Sequence, residues 1–184
     1  MLETARRTLF QEGAEGFVLR SVADAAGVAL GNLQYYFPTR ASLVEAVVFA
    51  EADEDLRVIE DAVTSLGGED DPAEALVATA ATLLDRWHGD ARGIYVSAGA
   101  MAMTEPSLAS LLDEVWGRFH ESIAMVVRSV DPDADEDEVN LRSLAVTALL
   151  DGSSLQRPGP LGVDERVFRA RIEREIVRIS KGDA

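Results

Sequence analysis

A short segment near the N-terminus, GVALGNLQYYFPTR, concentrates side chains that hydrogen-bond to nucleic acids. Tyr35 and Tyr36 have hydroxyl groups that can bond to phosphate oxygens, and Asn32 and Gln34 have amides of the type that bind adenine bidentately. Arg40 adds a planar guanidinium, which suits phosphate oxygens, in the first turn of a predicted long helix. These residue types predict contact with a nucleic acid.

Two short helices must position these side chains. Leu33 and Phe37 are four residues apart, so they should share the inner face of the second helix and lie on Val22 and Ala26 of the first. A Gly-Val turn between the two helices completes the pattern of a helix-turn-helix, whose second helix enters the major groove of DNA. The two tyrosines should then lie on or beside the outer face.

Helical spacing of apolar residues continues along the whole chain, whereas strand-like alternation is almost absent. The sequence predicts an all-α fold of about nine helices, with no repeats. Gly13 and Gly16 are expected to end the first helix, which begins at Leu2. The predicted bounds of the others are 19–26, 29–37, 41–66, 72–88, 91–104, 106–129, 136–156 and 164–180.

Composition limits the classes of function. The 184 residues include no cysteine, which excludes disulfides, thiolate catalysis and zinc-thiolate sites. The net charge of −16 argues against a general polyanion binder. Residues 1–50, however, carry 4 arginines and 5 acids, whereas the remainder carries 13 basic and 28 acidic residues (17 − 4 and 33 − 5). A surface for phosphates is therefore expected in the first fifty residues.

Localisation follows from what the sequence lacks. No apolar run approaches the roughly 20 residues of a membrane span, and the charged, amphipathic start is not a signal peptide. We expect a soluble, cytoplasmic protein without membrane association.

An ordered set of residues near the N-terminus resembles the tetracycline-repressor (TetR) family. The set is Leu9-Phe10-x-x-Gly13, then Leu19-Arg20-Ser21-Val22-Ala23-Asp24-Ala25-Ala26-Gly27-Val28, then Gly31-x-Leu33-x-x-Tyr36-Phe37-Pro38-x-Arg40-x-x-Leu43. The resemblance implies a homodimeric, ligand-responsive transcriptional regulator, usually a repressor, that binds a double-stranded DNA operator. It implies a DNA-binding domain over residues 1–45 and a ligand-binding and dimerisation domain over 46–184. The predicted DNA-facing residues are Arg20, Ser21, Leu30, Gly31, Asn32, Gln34, Tyr35, Tyr36 and Arg40.

Several departures from the family pattern bear on the operator sequence. Val18 stands where a capping hydroxyl is usual, and Leu30 stands where a polar residue is common. Leu30 could contact a thymine methyl or simply pack. Gln34 replaces a frequent tyrosine, and the basic arm often found before the first helix is absent from this sequence.

The last two helices predict a dimer interface. They have apolar stripes with small residues that allow close helix approach, and two such helices per chain would form a four-helix bundle across a two-fold axis. The alternative is that both stripes pack within their own chain. The residues assigned to the interface are Leu141, Ala145, Ala148, Leu149, Gly152, Phe168, Ile172 and Ile176.

The middle helices predict a small-molecule pocket lined by large apolar residues and a few polar groups. The residues assigned to it are Trp87, Tyr95, Met101, Trp116, Phe119 and His120. The alternative is that this set forms ordinary core. The two histidines have no metal-binding pattern around them, so neither a metal nor a cofactor is expected. The expected effector is uncharged or cationic and apolar.

The functional hypothesis is a dimer with two states, in which an effector in the body alters the spacing of the two recognition helices through the helix at 41–66. Catalysis is not expected, since no nucleophile and base occur in a recognisable motif. The alternative outside DNA binding is a helical protein-interaction module or a small-molecule-binding protein that does not bind DNA.

Overall fold

The computed structural model describes residues 1–66, 72–156 and 158–183. These residues form nine α-helices, one 3-10 turn at Gly159–Leu161 and no strand, which confirms the predicted all-α fold. The helices are α1 (Leu2–Gly16), α2 (Leu19–Ala26), α3 (Leu30–Tyr36), α4 (Arg40–Leu66), α5 (Pro72–His88), α6 (Asp90–Ala102), α7 (Pro106–Val130), α8 (Glu136–Leu155) and α9 (Glu165–Lys181).

Local chemistry sets most of the helix boundaries. Proline stands at the first position of α5 and α7, where its missing N–H leaves no helical hydrogen bond unmade. Asp135 caps α8 by accepting a hydrogen bond from the Glu138 amide at 2.9 Å, and Asp164 caps α9 by accepting from the amide of Arg166. The predicted ends lie within two residues of the observed ends for this reason.

The end of α1 involves both glycines that the sequence predicts there. Gly13 adopts φ 65° and ψ −170°, which kinks the helix, and helical structure continues to Gly16. Only a residue without a Cβ adopts this backbone conformation at low cost. Gly13 therefore interrupts the regular helix, and the last helical residue is Gly16.

The described residues form two compact units. The first unit joins Met1–Asp53 with Gly89–Trp116, and α1 packs on α6 within it. Gly93 allows this close approach, because a Cβ at that position would lie 2.6 Å from Cδ2 of Phe10. The unit is larger than the predicted DNA-binding domain at 1–45, since it includes α6 and the start of α7.

The second unit joins Glu54–His88 with Gly117–Ala184, and α5, α8 and α9 pack on one another within it. Its buried core includes Leu83, Leu84 and Val146. The helices α4 and α7 each contribute residues to both units. Among the described residues, no helix combines the length and apolar character that a membrane crossing requires.

Candidate nucleic-acid interface and ligand groove

The turn between α2 and α3 is built around Gly27. Its backbone is left-handed, with φ 66° and ψ 30°, and its amide donates hydrogen bonds to the carbonyls of Ala23 and Asp24. The amide of Val28 also donates to the Ala23 carbonyl, at 3.0 Å. This arrangement ends α2 and redirects the chain into α3, and it favours glycine because of the positive φ. Val18 precedes α2 without a side-chain capping bond, as expected from its type.

The inner and outer faces of α3 differ in the way that the sequence predicts. Leu33 and Val22 are fully buried, and Phe37 is half-buried. By contrast, 80% of the surface of Tyr35 and 58% of that of Tyr36 is exposed. The two tyrosine rings meet edge to face, with their centroids 5.1 Å apart. The expected outward position of both rings is thus confirmed.

The remaining residues assigned to DNA on α2 and α3 fall into two groups. Most are exposed, namely Arg20, Gly31, Asn32 and Gln34. Ser21 and Leu30 are half-buried, so part of each side chain is accessible. The outer surface of α3 therefore offers two phenols and two amides beside each other, which can donate to phosphates and to base edges. Whether each residue contacts DNA stays a prediction.

The sequence places Arg40 among the DNA-facing residues, whereas in the structure its guanidinium bonds to the head itself. Its Nη2 donates a hydrogen bond to the carbonyl of Ala14, near the end of α1. Its Nε is buried and has no hydrogen-bond partner within the described residues. The half-buried guanidinium is thus committed to its own chain. Thr39 caps the start of α4, because its hydroxyl accepts a hydrogen bond from the Ser42 amide at 3.0 Å.

The three other arginines of the head differ from Arg40 in their surroundings. Arg6 is held by an ion pair with the buried Glu51, at 2.7 Å between Nε and Oε2. Arg7 and Arg20 are exposed and form no ion pair within the part of the chain that the structure describes. The phosphate-binding charge of the head therefore rests on few groups.

Four of the six residues assigned to the ligand pocket form aromatic pairs within one unit or the other. Trp87 and Phe119 belong to the second unit and pack edge to face, with centroids 5.6 Å apart. Tyr95 and Trp116 belong to the first unit, with centroids 5.8 Å apart. Trp87, Phe119, Tyr95 and Met101 are buried, which fits the core alternative. His120 is the one residue of the six that lines a groove described below.

Asp55 on α4 organises the polar contacts around Trp87. The Asp55 side chain is fully buried, and it accepts a hydrogen bond from Nε1 of Trp87 at 2.8 Å. It also forms an ion pair with Arg86. A buried carboxylate requires partners of this kind, since an unpaired buried charge is costly. Trp87 is therefore fixed in the structure by packing and by a charge-assisted hydrogen bond.

A groove of about 650 Å³ opens in the second unit. Residues of α4, α7 and α8 line it, and the volume suits a small organic molecule. The lining mixes apolar, charged and polar side chains: Leu56, Glu60, Arg118, His120, Glu121, Ser122, Ala124, Met125, Arg128, Glu136, Asn140, Ser143 and Leu144. Among the described residues, no group of histidine and acidic side chains could hold a metal ion.

The exposed surface of α8 carries part of the predicted dimer interface. Leu141 and Leu144 are 62% and 54% exposed, Ala148 is exposed, and Ala145, Leu149 and Gly152 are half-buried. Exposed leucines at helical spacing indicate an interaction surface. Asp151 lies one turn beyond Ala148 and is exposed, yet partial burial of its carboxyl raises its pKa.

The assigned residues of α9 are placed differently. Ile172 and Ile176 are buried, and Phe168 is half-buried, in a unit where α9 packs on α5 and α8. Ile172 and Ile176 are therefore occupied by their own chain, as the alternative assignment states. An interface would have to use α8 and the more exposed side of α9, where Val167 is 62% exposed.

Sequence comparison shows which family the head is similar to. Residues 1–47 match the model of a family described as bacterial regulatory proteins, tetR family. The head is therefore similar to the regulatory proteins of that family. The matched range covers α1, α2, α3 and the first turns of α4, so it includes every residue assigned to DNA. No curated protein matches the chain in sequence.

Solved structures share the fold over nearly the whole length. A transcriptional regulator from Rhodococcus sp. Rha1 has a TM-score of 0.77 at 22% identity, covering 98% of this chain and 94% of that one. The TetR family transcriptional regulator PfmR from Thermus thermophilus has a TM-score of 0.70 at 17% identity, covering 100% and 98%. A protein from Saccharomonospora viridis, solved in complex with choline, has a TM-score of 0.71 at 17% identity, covering 99% and 94%. The tetR-type fold thus extends beyond the matched head.

Sequence reasoning missed two acidic residues of α4. Glu51 and Asp55 are 3% and 0% exposed, and they lie one turn apart on the buried side of α4. A signal was present, since both fall at helical spacing with the apolar residues Val44, Val48 and Ile59. An acid in such a stripe predicts a buried partner, here Arg6 for Glu51 and Arg86 for Asp55.

Proposed function

We propose that this chain is a DNA-binding transcriptional regulator that acts as a homodimeric repressor, and that a small molecule in its body releases it from its operator. The observation that carries the proposal is the outer surface of α3. Two exposed tyrosines and two exposed amides lie there, within the residues that match the tetR family, while Leu33 holds the inner surface.

The chemistry of that surface divides into positioning and sequence recognition. The hydroxyls of Tyr35 and Tyr36 would bond to phosphates and fix the register of α3 on the duplex. Asn32 and Gln34 would contact base edges in the major groove, where a bidentate amide–adenine pair contributes about 1–3 kcal/mol of discrimination. The polar side of α3 has these donors and no lysine or arginine of its own.

Dimerisation follows from the geometry of operators. A two-fold protein binds two half-sites about one helical turn apart, so α3 of each copy can enter the same side of the duplex. The exposed Leu141 on α8, which does not line the groove, supports a partner helix at that surface. Burial of this leucine in each copy would contribute a few kcal/mol in total, since a fully buried leucine contributes about 1.5–3 kcal/mol.

Effector control would use α4. Glu51, in the first unit, binds Arg6 of α1, and Asp55, in the second unit, binds Arg86 and Trp87 of α5. One turn of α4 separates the two carboxylates, so a displacement of this helix would be felt at both ion pairs. The effector would act through its different affinity for two positions of α4. The choline-bound protein of the same fold supports a body that accommodates a small molecule.

Binding to the DNA that flanks the protein's own gene tests the proposal. We expect a retarded complex in a mobility-shift assay, and at least tenfold weaker binding after the double substitution Asn32→Ala and Gln34→Ala, because two base contacts are lost. Gln11→Ala is the matched control, since Gln11 is an exposed amide on α1. The proposal would be ruled out if the unmodified protein and both variants each bound the flanking duplex and an unrelated duplex with equal affinity.

A further inference from the structure

The groove in the second unit contains two carboxylates that no cation of the described chain neutralises. Glu60 on α4 and Glu121 on α7 are both exposed at the groove and form no ion pair within the described residues. The two arginines that line the groove are engaged. Arg128 donates from Nη2 to both carboxylate oxygens of Glu136, at 2.8 and 3.0 Å, and Arg118 also has an interaction partner.

The charge available to a ligand is therefore negative. The pair Arg128–Glu136 is internally compensated, which leaves two free carboxylates against one arginine that already has a partner. An anionic ligand would have to approach Glu60 and Glu121 against like charge, whereas a cation would gain from both. The charges of the groove thus favour a cationic ligand over an anionic one.

The other side chains of the groove favour a ligand with an apolar part. Leu56 is buried at the α4 wall, and Met125 and Leu144 expose 43% and 54% of their surface. Methionine is flexible and polarisable, so it adapts to ligands of different shape. No metal-holding group of side chains exists among the described residues, which favours an organic cation over a metal ion.

We propose that this groove binds a small organic cation with an apolar substituent, its charge beside Glu60 and Glu121 and its apolar part against Met125 and Leu144. The inference rests on the proposed function, because such a cation would be the effector. It also moves the effector site from the predicted aromatic set to the α4, α7 and α8 surfaces, and retains only His120 of that set.

Calorimetric titration of the full chain without DNA tests the groove. The probes are octyltrimethylammonium, 1-octanol and octanoate, which share an apolar chain and differ in charge. We expect octyltrimethylammonium to bind at least about fivefold more tightly than 1-octanol, since one exposed ion pair contributes up to about fivefold in affinity. Octanoate should bind most weakly, and the preference for the cation should shrink as salt is raised.

Two variants locate the binding to these carboxylates. Glu60→Gln and Glu121→Gln should each weaken binding of the cation about threefold to fivefold, and leave 1-octanol unchanged. Glu114→Gln on α7 is the matched control, because Glu114 is exposed and does not line the groove. A melting curve of each variant verifies that the fold is retained.

The outcomes separate this inference from the proposed function. Tighter binding of octanoate, no binding of any probe, or an unchanged cation preference in the Glu60→Gln and Glu121→Gln double variant would overturn the cation groove. Operator binding is measured separately, on the same protein without a probe. A protein that binds flanking DNA but no cation would refute only the groove, and the reverse result would refute the regulator.

Discussion

The salt dependence of operator binding is predicted to be shallow. The perturbation is an increase in monovalent salt, applied to the unmodified protein and to Arg20→Gln. Of the arginines in the head, Arg6 is paired with Glu51, and Arg40 donates to the Ala14 carbonyl. Arg7 and Arg20 are then the arginines of residues 1–50 with no partner among the described residues. Each protomer therefore offers at most two guanidinium groups to phosphates.

The count sets the magnitude. Two groups in each of two protomers give about four phosphate contacts, so the slope of log K against log salt should be about −0.9 × 4, or about −3.6. Affinity should fall about 150-fold between about 50 and 200 mM salt. If Arg40 also reached phosphate, six contacts would give a slope of about −5.4 and a loss of about 2,000-fold. Arg20→Gln should reduce the slope to about −1.8.

Fluorescence anisotropy at four salt concentrations, with a labelled operator duplex, measures these slopes. Arg57→Gln is the control, because Arg57 lies in the body and pairs with Glu54. A slope of about −5 or steeper for the unmodified protein would refute the count. So would an Arg40→Gln variant that keeps its melting temperature and flattens the slope as much as Arg20→Gln does.

Three further predictions concern stability and assembly. Asp55→Asn should lower the free energy of unfolding by about 2–4 kcal/mol, because it removes the buried counter-ion of Arg86. Urea denaturation measures this loss. Glu54→Gln is the control, since it breaks an exposed ion pair and should lower the free energy of unfolding by under about 1 kcal/mol. Leu141→Lys should weaken the dimer at least about tenfold, because it places two like charges in an apolar interface. Sedimentation measures the dimer affinity. An unchanged affinity would contradict the α8 interface. The raised pKa of Asp151 means that the fold favours the protonated carboxyl. The stability that this preference contributes is present below the ordinary pKa and is lost as the pH rises through the folded-state pKa. Asp151→Asn should therefore raise the melting temperature at pH 7, with a gain that shrinks toward pH 4; a gain independent of pH would contradict this.

Helix identities and ends were predictable from the sequence because their signals are local. Pro72 and Pro106 fix helix starts through the missing N–H, and Gly27 fixes the turn between α2 and α3 through its positive φ. The outward position of Tyr35 also follows from local periodicity, since it lies opposite Leu33 on α3. Information within one or two helical turns was enough for these features.

Features that depend on distant parts of the chain were not predictable in the same way. The hydrogen bond from Arg40 joins residues 26 positions apart, to a backbone carbonyl that every residue possesses. The ion pair of Asp55 with Arg86 spans 31 positions. The aromatic spacing around Trp87 is the same whether the ring lines a pocket or fills a core, and only tertiary contacts such as its packing on Phe119 bear on that choice. Tertiary partners, which one sequence does not name, set these roles.

Selection of bound sequences from random duplex DNA tests the central claim most directly, namely that the outer surface of α3 reads DNA. We predict enrichment of an inverted repeat whose half-site centres lie about 10–10.5 base pairs, or a whole multiple of that distance, apart. We also predict that Asn32→Ala or Gln34→Ala relaxes the preference at one adenine of each half-site. No enrichment, or an enriched sequence that both substitutions leave unchanged, would contradict the assignment of α3 as the recognition helix.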